Sequence, residues 1–224
     1  MDRVRPLDQP PLGQRHGPRH RLDAEQLRDS LLAAAGLLDT TLGGPSVFPP
    51  VPGNLNAGNR WTTSKEQSDH YRRSLYIFTR RSVAYPMLEA FDMASAQQVH
   101  SQRDVTTTAL QALTLYNSDI AFEASKALAG RVIREAGSDD AARLDRLYEI
   151  LLSRKPDKAE RSTLLAFLDE HEDVLKEQSL ADGKFAVNVP TGIEPAQAGD
   201  PLRASAFVDL VHTVANSNDF AYRF

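Results

Sequence analysis

Between residues 118 and 178 three helical stripes follow one another with their start and stop signals written out, and this run constrains the fold more than any other feature. Ser118 or Asp119 opens the first stripe, Ile120, Ala124, Leu128 and Val132 recur at helical spacing, and Gly137 suits the left-handed residue after a helix end. Ser138 is expected to cap the next, with Asp139 and Asp140 in its first turn, where the helix dipole favours negative charge. Leu144, Leu147, Tyr148, Leu151 and Leu152 form its apolar face, and Pro156 is expected to end it. Asp157 with Glu160 forms a capping-box start for a third stripe, Leu164, Leu168 and Leu175, which runs to about Gln178. No run alternates strands with helices, so the sequence predicts a mainly α fold, a helical domain with long ordered Pro/Gly-rich loops.

Asp23 with Gln26 marks another helix start, followed by Leu27, Leu31, Ala34 and Leu38, and Gly43-Gly44-Pro45 is expected to stop it. Residues 43–69 hold four prolines and four glycines together with Val47, Phe48, Val51 and Trp61. That mixture predicts an extended loop laid on a core, a flexible linker being the alternative. Tyr71, Leu75 and Phe78 fit one helical face, while the alternation of Leu75 and Ile77 also fits a short strand. Pro86 suits the first turn of a short helix ending near Phe91-Asp92. A polar loop is expected over 95–104, a helix from Thr106 to Leu115, a second small-residue loop over 181–200, and a last helix from about Leu202 to Ala215. Phe220, Tyr222 and Phe224 suit an extended, packed tail. The first twenty residues carry four prolines, two glycines and no hydrophobic period. Residues 1–18 therefore read as a disordered lead before one helical domain over 19–224.

The 41% hydrophobic content of the 224-residue chain is sufficient for a core. A formal charge of −4 gives no net attraction to polyanions, so nucleic acid is not an expected partner. The absence of cysteine excludes disulfides, thiolate chemistry and a covalently attached c-type haem. No apolar run is long enough to span a bilayer, and Met1 to His20 lacks the apolar stretch of an export signal; by its own termini the chain reads as cytosolic.

Catalytic motifs are sparse. Gly43-Gly44-Pro45 lacks the lysine and helix start of a phosphate loop, and no nucleophile elbow is present. The histidines do not form a helical zinc pair, His16 and His20 having the spacing but lying in the Pro-rich lead, and no metal site is expected. His171 and His212 read as half-exposed boundary residues, and Asp69-His70 are adjacent without being oriented toward each other. The polar clusters that stand out are Arg72-Arg73, Phe91-Asp92, and Arg103 with Thr106, Thr107, Thr108 and Gln111. Such side chains bind carboxylates, sulfates or sugar hydroxyls. An Asp92–Arg103 ion pair tying a loop to the core is the structural alternative, and the heavier one, because buried charges occur paired.

The order of five segments carries a resemblance: RLDAEQLRDSLLAAAGLLD, GGPSVFPP, YRRSLYIFTRRSVAYPMLEAFD, RDVTTTALQALTLYNS and VHTVANSNDF. Together they resemble the planctomycete-type C-terminal domain of unknown function (PSD-type) of large exported proteins, many of which also carry a cytochrome c-like haem domain. The resemblance covers roughly residues 19–224 and implies a C-terminal fragment of such a protein, periplasmic or extracellular, with signal, haem motif and preceding domain missing. Residues 1–18 do not resemble the family, as a truncated gene model or shifted frame would explain. No catalytic residues carry over; Arg72, Arg73, Asp92, Arg103, Thr107, Gln111 and Asn117 lie within the motifs and are the candidate ligand-binding residues. The implied role is an accessory binding or scaffolding module without a cofactor in this chain, whose partners are the upstream domain of the parent and a glycan. Trp61, Tyr71, Tyr76 and Tyr85, expected at the surface near arginines, give the glycan a physical motive. Half of an enzyme site completed by the upstream domain, with Asp92 and Arg103 as anchors, and a docking module for the haem domain are the alternatives.

Overall fold

The computed structural model describes residues 20–53, 61–80, 82–94, 99, 101–181 and 186–223. The lead 1–18, His16, Phe224, and parts of the loops expected over 43–69, 95–104 and 181–200 lie outside the described residues. The fold is mainly α. Its helices are α1 (Ala24–Ala35), α2 (Gln67–His70), α3 (Pro86–Ala90), α4 (Ala109–Tyr116), α5 (Asp119–Ala136), α6 (Asp140–Leu152), α7 (Lys158–Ala181), α8 (Pro195–Ala198), α9 (Pro201–Ala215) and α10 (Asn218–Ala221). Two short strands, β1 (His20–Arg21) and β2 (Tyr222–Arg223), pair antiparallel, His20 opposite Arg223 and Arg21 opposite Tyr222.

The stripes form the core as expected. α5 is the central helix and packs against α1, α6 and α9, while α7 packs against α9. Leu128 and Val132 of α5, Leu27 and Leu31 of α1, Leu144 and Leu147 of α6, Leu168 of α7 and Phe207 and Leu210 of α9 are buried in one cluster. Gly137 takes φ +77° after α5, and Asp157 and Glu160 exchange backbone-to-carboxylate bonds of 2.8 Å at the start of α7. Several ends move from their expected positions: α4 begins at Ala109, not Thr106, and α7 runs on to Ala181. α6 is capped by Asp139, whose carboxylate accepts from the Ala142 N–H at 3.0 Å, not by Ser138. It closes at Ser153, with φ +56°, three residues before Pro156. α1 stops at Gly36, with φ +74°, and Leu37 and Leu38 turn back to donate to the Leu32 carbonyl at 2.9 and 3.2 Å.

Residues 71–78 are neither a helix nor a full strand. A 3₁₀ turn, Ser74–Tyr76, lies between two isolated parallel bridges, Asp39 with Arg72 and Val47 with Ile77. The N–H of Asp39 donates to Tyr71, that of Val47 to Tyr76 and that of Phe78 to Val47, at 2.8–3.0 Å. The expected face of Tyr71, Leu75 and Phe78 fails because the backbone is satisfied by pairing, which turns Arg72, Ser74 and Ile77 inward and leaves Leu75 70% exposed. The Pro/Gly-rich stretch is held on the core through Val47 and Trp61, both buried. The tail also differs: Phe220 is buried within the turn of α10, and extended backbone begins at Tyr222. Among the described residues no helix is long and apolar enough to cross a membrane.

Candidate functional site

Asp92 sits at the end of α3 in the left-handed region, φ +61°. Its N–H donates to Glu89 at 3.3 Å and that of Met93 to Leu88 at 3.0 Å, the paired bonds that close a helix with a left-handed residue. Glycine suits that position best and aspartate tolerates it, so the side chain is there for what it holds. Asp92 Oδ2 accepts from Arg21 Nη2 at 2.7 Å and from the Thr106 N–H at 2.8 Å, and Oδ1 accepts from the Thr106 hydroxyl at 2.9 Å. Gln111 Nε2 donates to Asp92 at 3.4 Å and to Thr106 Oγ1 at 3.0 Å, and its Oε1 accepts from the Thr108 N–H at 3.2 Å, closing the start of α4. Burial opposes ionisation of Asp92, but the Thr106 donors and Arg21 outweigh it and hold the carboxyl below its usual range.

The partner of Asp92 is therefore Arg21, not the expected Arg103. Arg103 instead forks onto Glu25 of α1 at 2.6 and 2.9 Å, with Asp23 at 3.8 Å. The Arg21 side chain is 4% exposed, its guanidinium lies 5.4 Å from the Phe91 ring centre, and its Nε and Nη1 are buried without a hydrogen-bond partner. Thr107 Oγ1 lies 3.3 Å from the Tyr222 hydroxyl, joining the approach to α4 to β2. Asn117 donates to the Leu113 carbonyl at 2.8 Å and closes α4.

Arg72 is buried and donates to the carbonyls of Gly43 at 2.5 Å, Thr41 at 3.0 Å and Pro45 at 3.3 Å, with its guanidinium 4.0 Å from the Tyr76 ring centre. Sequence reasoning missed the residues beneath it. Arg28, fully buried, donates to Arg72 O at 2.9 Å, His70 O at 2.6 Å and Ser74 Oγ at 3.2 Å. Asp29 accepts from the N–H and hydroxyl of Ser74 at 2.8 and 2.7 Å. The signal for Arg28 was in the sequence, because it falls on the same helical face as Ala24, Leu31 and Ala35.

Two of the seven candidates reach a sizeable concavity. Arg73, 3.9 Å from Asp29, and Arg103 stand on an open groove of about 700 Å³ between α1 and residues 73–94, with Leu38, Ile77, Leu88 and Met93 also lining it. Asn117 lines a smaller hollow of about 180 Å³ beside Pro86. Arg72, Asp92, Thr107 and Gln111 line neither of these hollows; Arg72, Asp92 and Gln111 serve as internal framework, and Thr107 is exposed beside Tyr222. A second concavity of about 630 Å³ lies between the end of α1, α2 and α5; Tyr71, Glu123, Lys126, Arg134, Thr191 and Gly192 line it.

The aromatic surface expected for a glycan is mostly internal. Trp61 is 0% exposed and donates through Nε1 to Pro49 O at 2.7 Å, Tyr85 is buried, and Tyr76 lies under Arg72 with its hydroxyl accepting from the Gly43 N–H at 2.7 Å. Tyr71 is partly exposed and lines the second concavity. His171 is half-buried as expected, its Nε2 2.9 Å from Asp209. His212 is buried, not half-exposed, because its ring lies 2.9 Å from Tyr116 O through Nε2 and 3.1 Å from Ser125 Oγ through Nδ1. His70 Nε2 is 2.9 Å from Ser64 O.

These features define a mainly helical module in which most of the motif side chains hold the chain to itself. Residues 7–168 match PSD1, described as a protein of unknown function (DUF1553), and the chain belongs to that family. No curated protein and no solved structure matches it.

Proposed function

We propose that residues 19–224 form one non-catalytic binding or scaffolding domain of a larger exported protein, working in the periplasm or outside the cell in association with polysaccharide. Its partner is the domain that precedes it in the parent, seated on the groove between α1 and residues 73–94. The supporting observation is the internal engagement of the motif residues: Asp92 binds Arg21 and Thr106, Arg103 binds Glu25, and Arg72 donates to three loop carbonyls. A carboxylate held below its usual range by fixed donors is a poor acid or base near neutrality, whereas a groove with an apolar floor and charges of both signs suits a protein surface. Export, the polysaccharide association and the haem-bearing relatives rest on the family resemblance described above.

The test is a binding titration of this chain with the preceding domain of its parent, each shown to be folded by circular dichroism. Saturable binding that weakens on Arg103→Glu is the expected result. Absence of binding, together with no glycan retained on an array, would sink the reading. The half-site alternative draws on the left-handed backbone at Asp92. It expects Asp92→Asn to abolish an activity of the full-length parent at a temperature where the variant is still folded by circular dichroism.

A further inference from the structure

The second concavity combines two chemistries that the groove lacks. On its floor, α5 presents Glu123, Lys126, Ala127, Arg131 and Arg134 along one face. Tyr71 donates its hydroxyl to Glu123 in a short bond and accepts from Gln67 Nε2 at 3.1 Å. Burial first and the neighbouring carboxylate second push the Tyr71 phenol up to about 12, so it stays a neutral donor and acceptor at any physiological pH. The cations here differ from many of those elsewhere in the chain. Arg103, Arg146, Arg154, Arg161 and Arg203 all meet carboxylates, but among the described residues neither Lys126 nor Arg134 has one within ion-pair distance. Among the described residues Lys126 Nζ meets the Phe122 ring, 5.5 Å away, and Arg134 is oriented by a bond of 3.0 Å to Gly192 O.

The wall opposite α2 is held at close range. The Thr191 N–H donates to Lys126 O at 3.1 Å, and a Cβ on Gly130 would stand 2.0 Å from Thr191 O. Only glycine lets this strand of backbone lie on α5 and bring Gly192 to the guanidinium of Arg134. Two cations with no carboxylate within ion-pair distance among the described residues thus line a concavity beside a fixed set of hydroxyl-reading groups, Tyr71, Glu123 and Gln67.

From this geometry we infer that the concavity between α1, α2 and α5 binds a small hydroxylated organic anion. The anionic group meets Lys126 and Arg134, and the hydroxyls meet the Tyr71–Glu123–Gln67 set. A sugar acid and a sulfated sugar share this chemistry. The inference stands apart from the docking of a preceding domain, which uses a groove with no lining residue in common and the Arg73 and Arg103 side chains.

The experiment is isothermal titration of the full chain with glucuronate, glucose 6-sulfate, glucose and inorganic sulfate, in low and high salt. Saturable binding of either hydroxylated anion, tighter than glucose or sulfate alone and weakened by salt, is the expected result, and the better of the two identifies the anionic group. Lys126→Gln, which removes no hydrogen bond of the fold, should weaken that binding roughly tenfold, and Tyr71→Phe should weaken the hydroxylated anions while leaving sulfate unchanged. No binding by the folded chain up to about 10 mM overturns the inference, as does an affinity untouched by Lys126→Gln and by an Arg134→Gln variant of unchanged melting temperature.

Discussion

Arg21 and Asp92, 71 residues apart in sequence, meet in an ion pair of 2.7 Å that ties β1 to the end of α3. Arg21 is almost fully buried and has no second carboxylate among the described residues, so Asp92→Asn leaves a guanidinium in the interior without its counter-charge. The expected cost is about 3 kcal/mol, read as a fall in melting temperature of roughly 6–12 °C for a chain of this size. Asp92→Gly should cost less than Asp92→Ala, because glycine relieves the left-handed backbone that alanine cannot. Equal melting temperatures for those two variants would remove the backbone part of the argument.

Arg72 and Arg103 look alike in sequence and differ in situation. Arg72 is buried against three loop carbonyls and the Tyr76 ring, and lysine has neither the fork to reach the carbonyls together nor the plane to stack. Arg72→Lys should cost about 2–4 kcal/mol. The Arg103 side chain is 37% exposed in its pair with Glu25, and solvent screening limits Arg103→Ala to about 0–1 kcal/mol. Urea denaturation of the two variants side by side measures the difference, and comparable losses would contradict it.

Acid should loosen the module at its ion pairs first. Arg103 holds Glu25 below its usual value, Arg154 does the same for Glu160, and Asp92 is held low by Thr106 and Arg21 against the effect of burial. A carboxyl whose folded value lies below its unfolded value adds stability that is complete above the unfolded value and is lost as pH falls through the folded one. The window therefore opens near the ordinary values, 4.5 for the glutamates and 3.8 for Asp92, and extends downward. Melting temperatures should be level from neutrality to about pH 5 and fall below it. In Asp92→Asn the fall should be shallower, since one of the groups that takes up a proton on unfolding is gone.

The helices were legible because their signals are local. Gly137 and the Asp157/Glu160 pair act within one turn, and the stripes of α5, α6 and α7 each bury one face whatever the partner. What failed was pairing at a distance. Nothing near Asp92 in sequence distinguishes Arg21 from Arg103, and the choice is made by β1 meeting β2, which places Arg21 over Phe91. Trp61 was misplaced for a related reason: beside arginines it read as surface, while Phe48 of the same Pro/Gly-rich stretch and Tyr85 from beyond α2 close around it. Residues 71–78 carry both helical and strand periodicity, and the parallel bridges to Asp39 and Val47 settle the conformation in favour of neither. The site candidates inherited the same weakness, since a side chain rich in donors looks the same whether they go to a ligand or, as for Arg72, to its own loop.

Gly130 had no signal in the sequence, lying in mid-helix between Ala129 and Arg131, yet it decides how the 191–192 backbone meets α5. A methyl group there would stand 2.0 Å from Thr191 O, and the nearby atoms are backbone, so no side chain can swing aside. In an exposed helix Gly→Ala would stabilise by about 1 kcal/mol. Here the Thr191 strand must move off the helix, losing the 3.1 Å bond to Lys126 O and loosening Gly192 from Arg134. The expected outcome is a net destabilisation of about 1–3 kcal/mol, with amide exchange accelerated at Thr191 and the core of α5 still protected. A Gly130→Ala chain as stable as the parent, with Thr191 still protected, would show that this approach is looser than 2.0 Å implies.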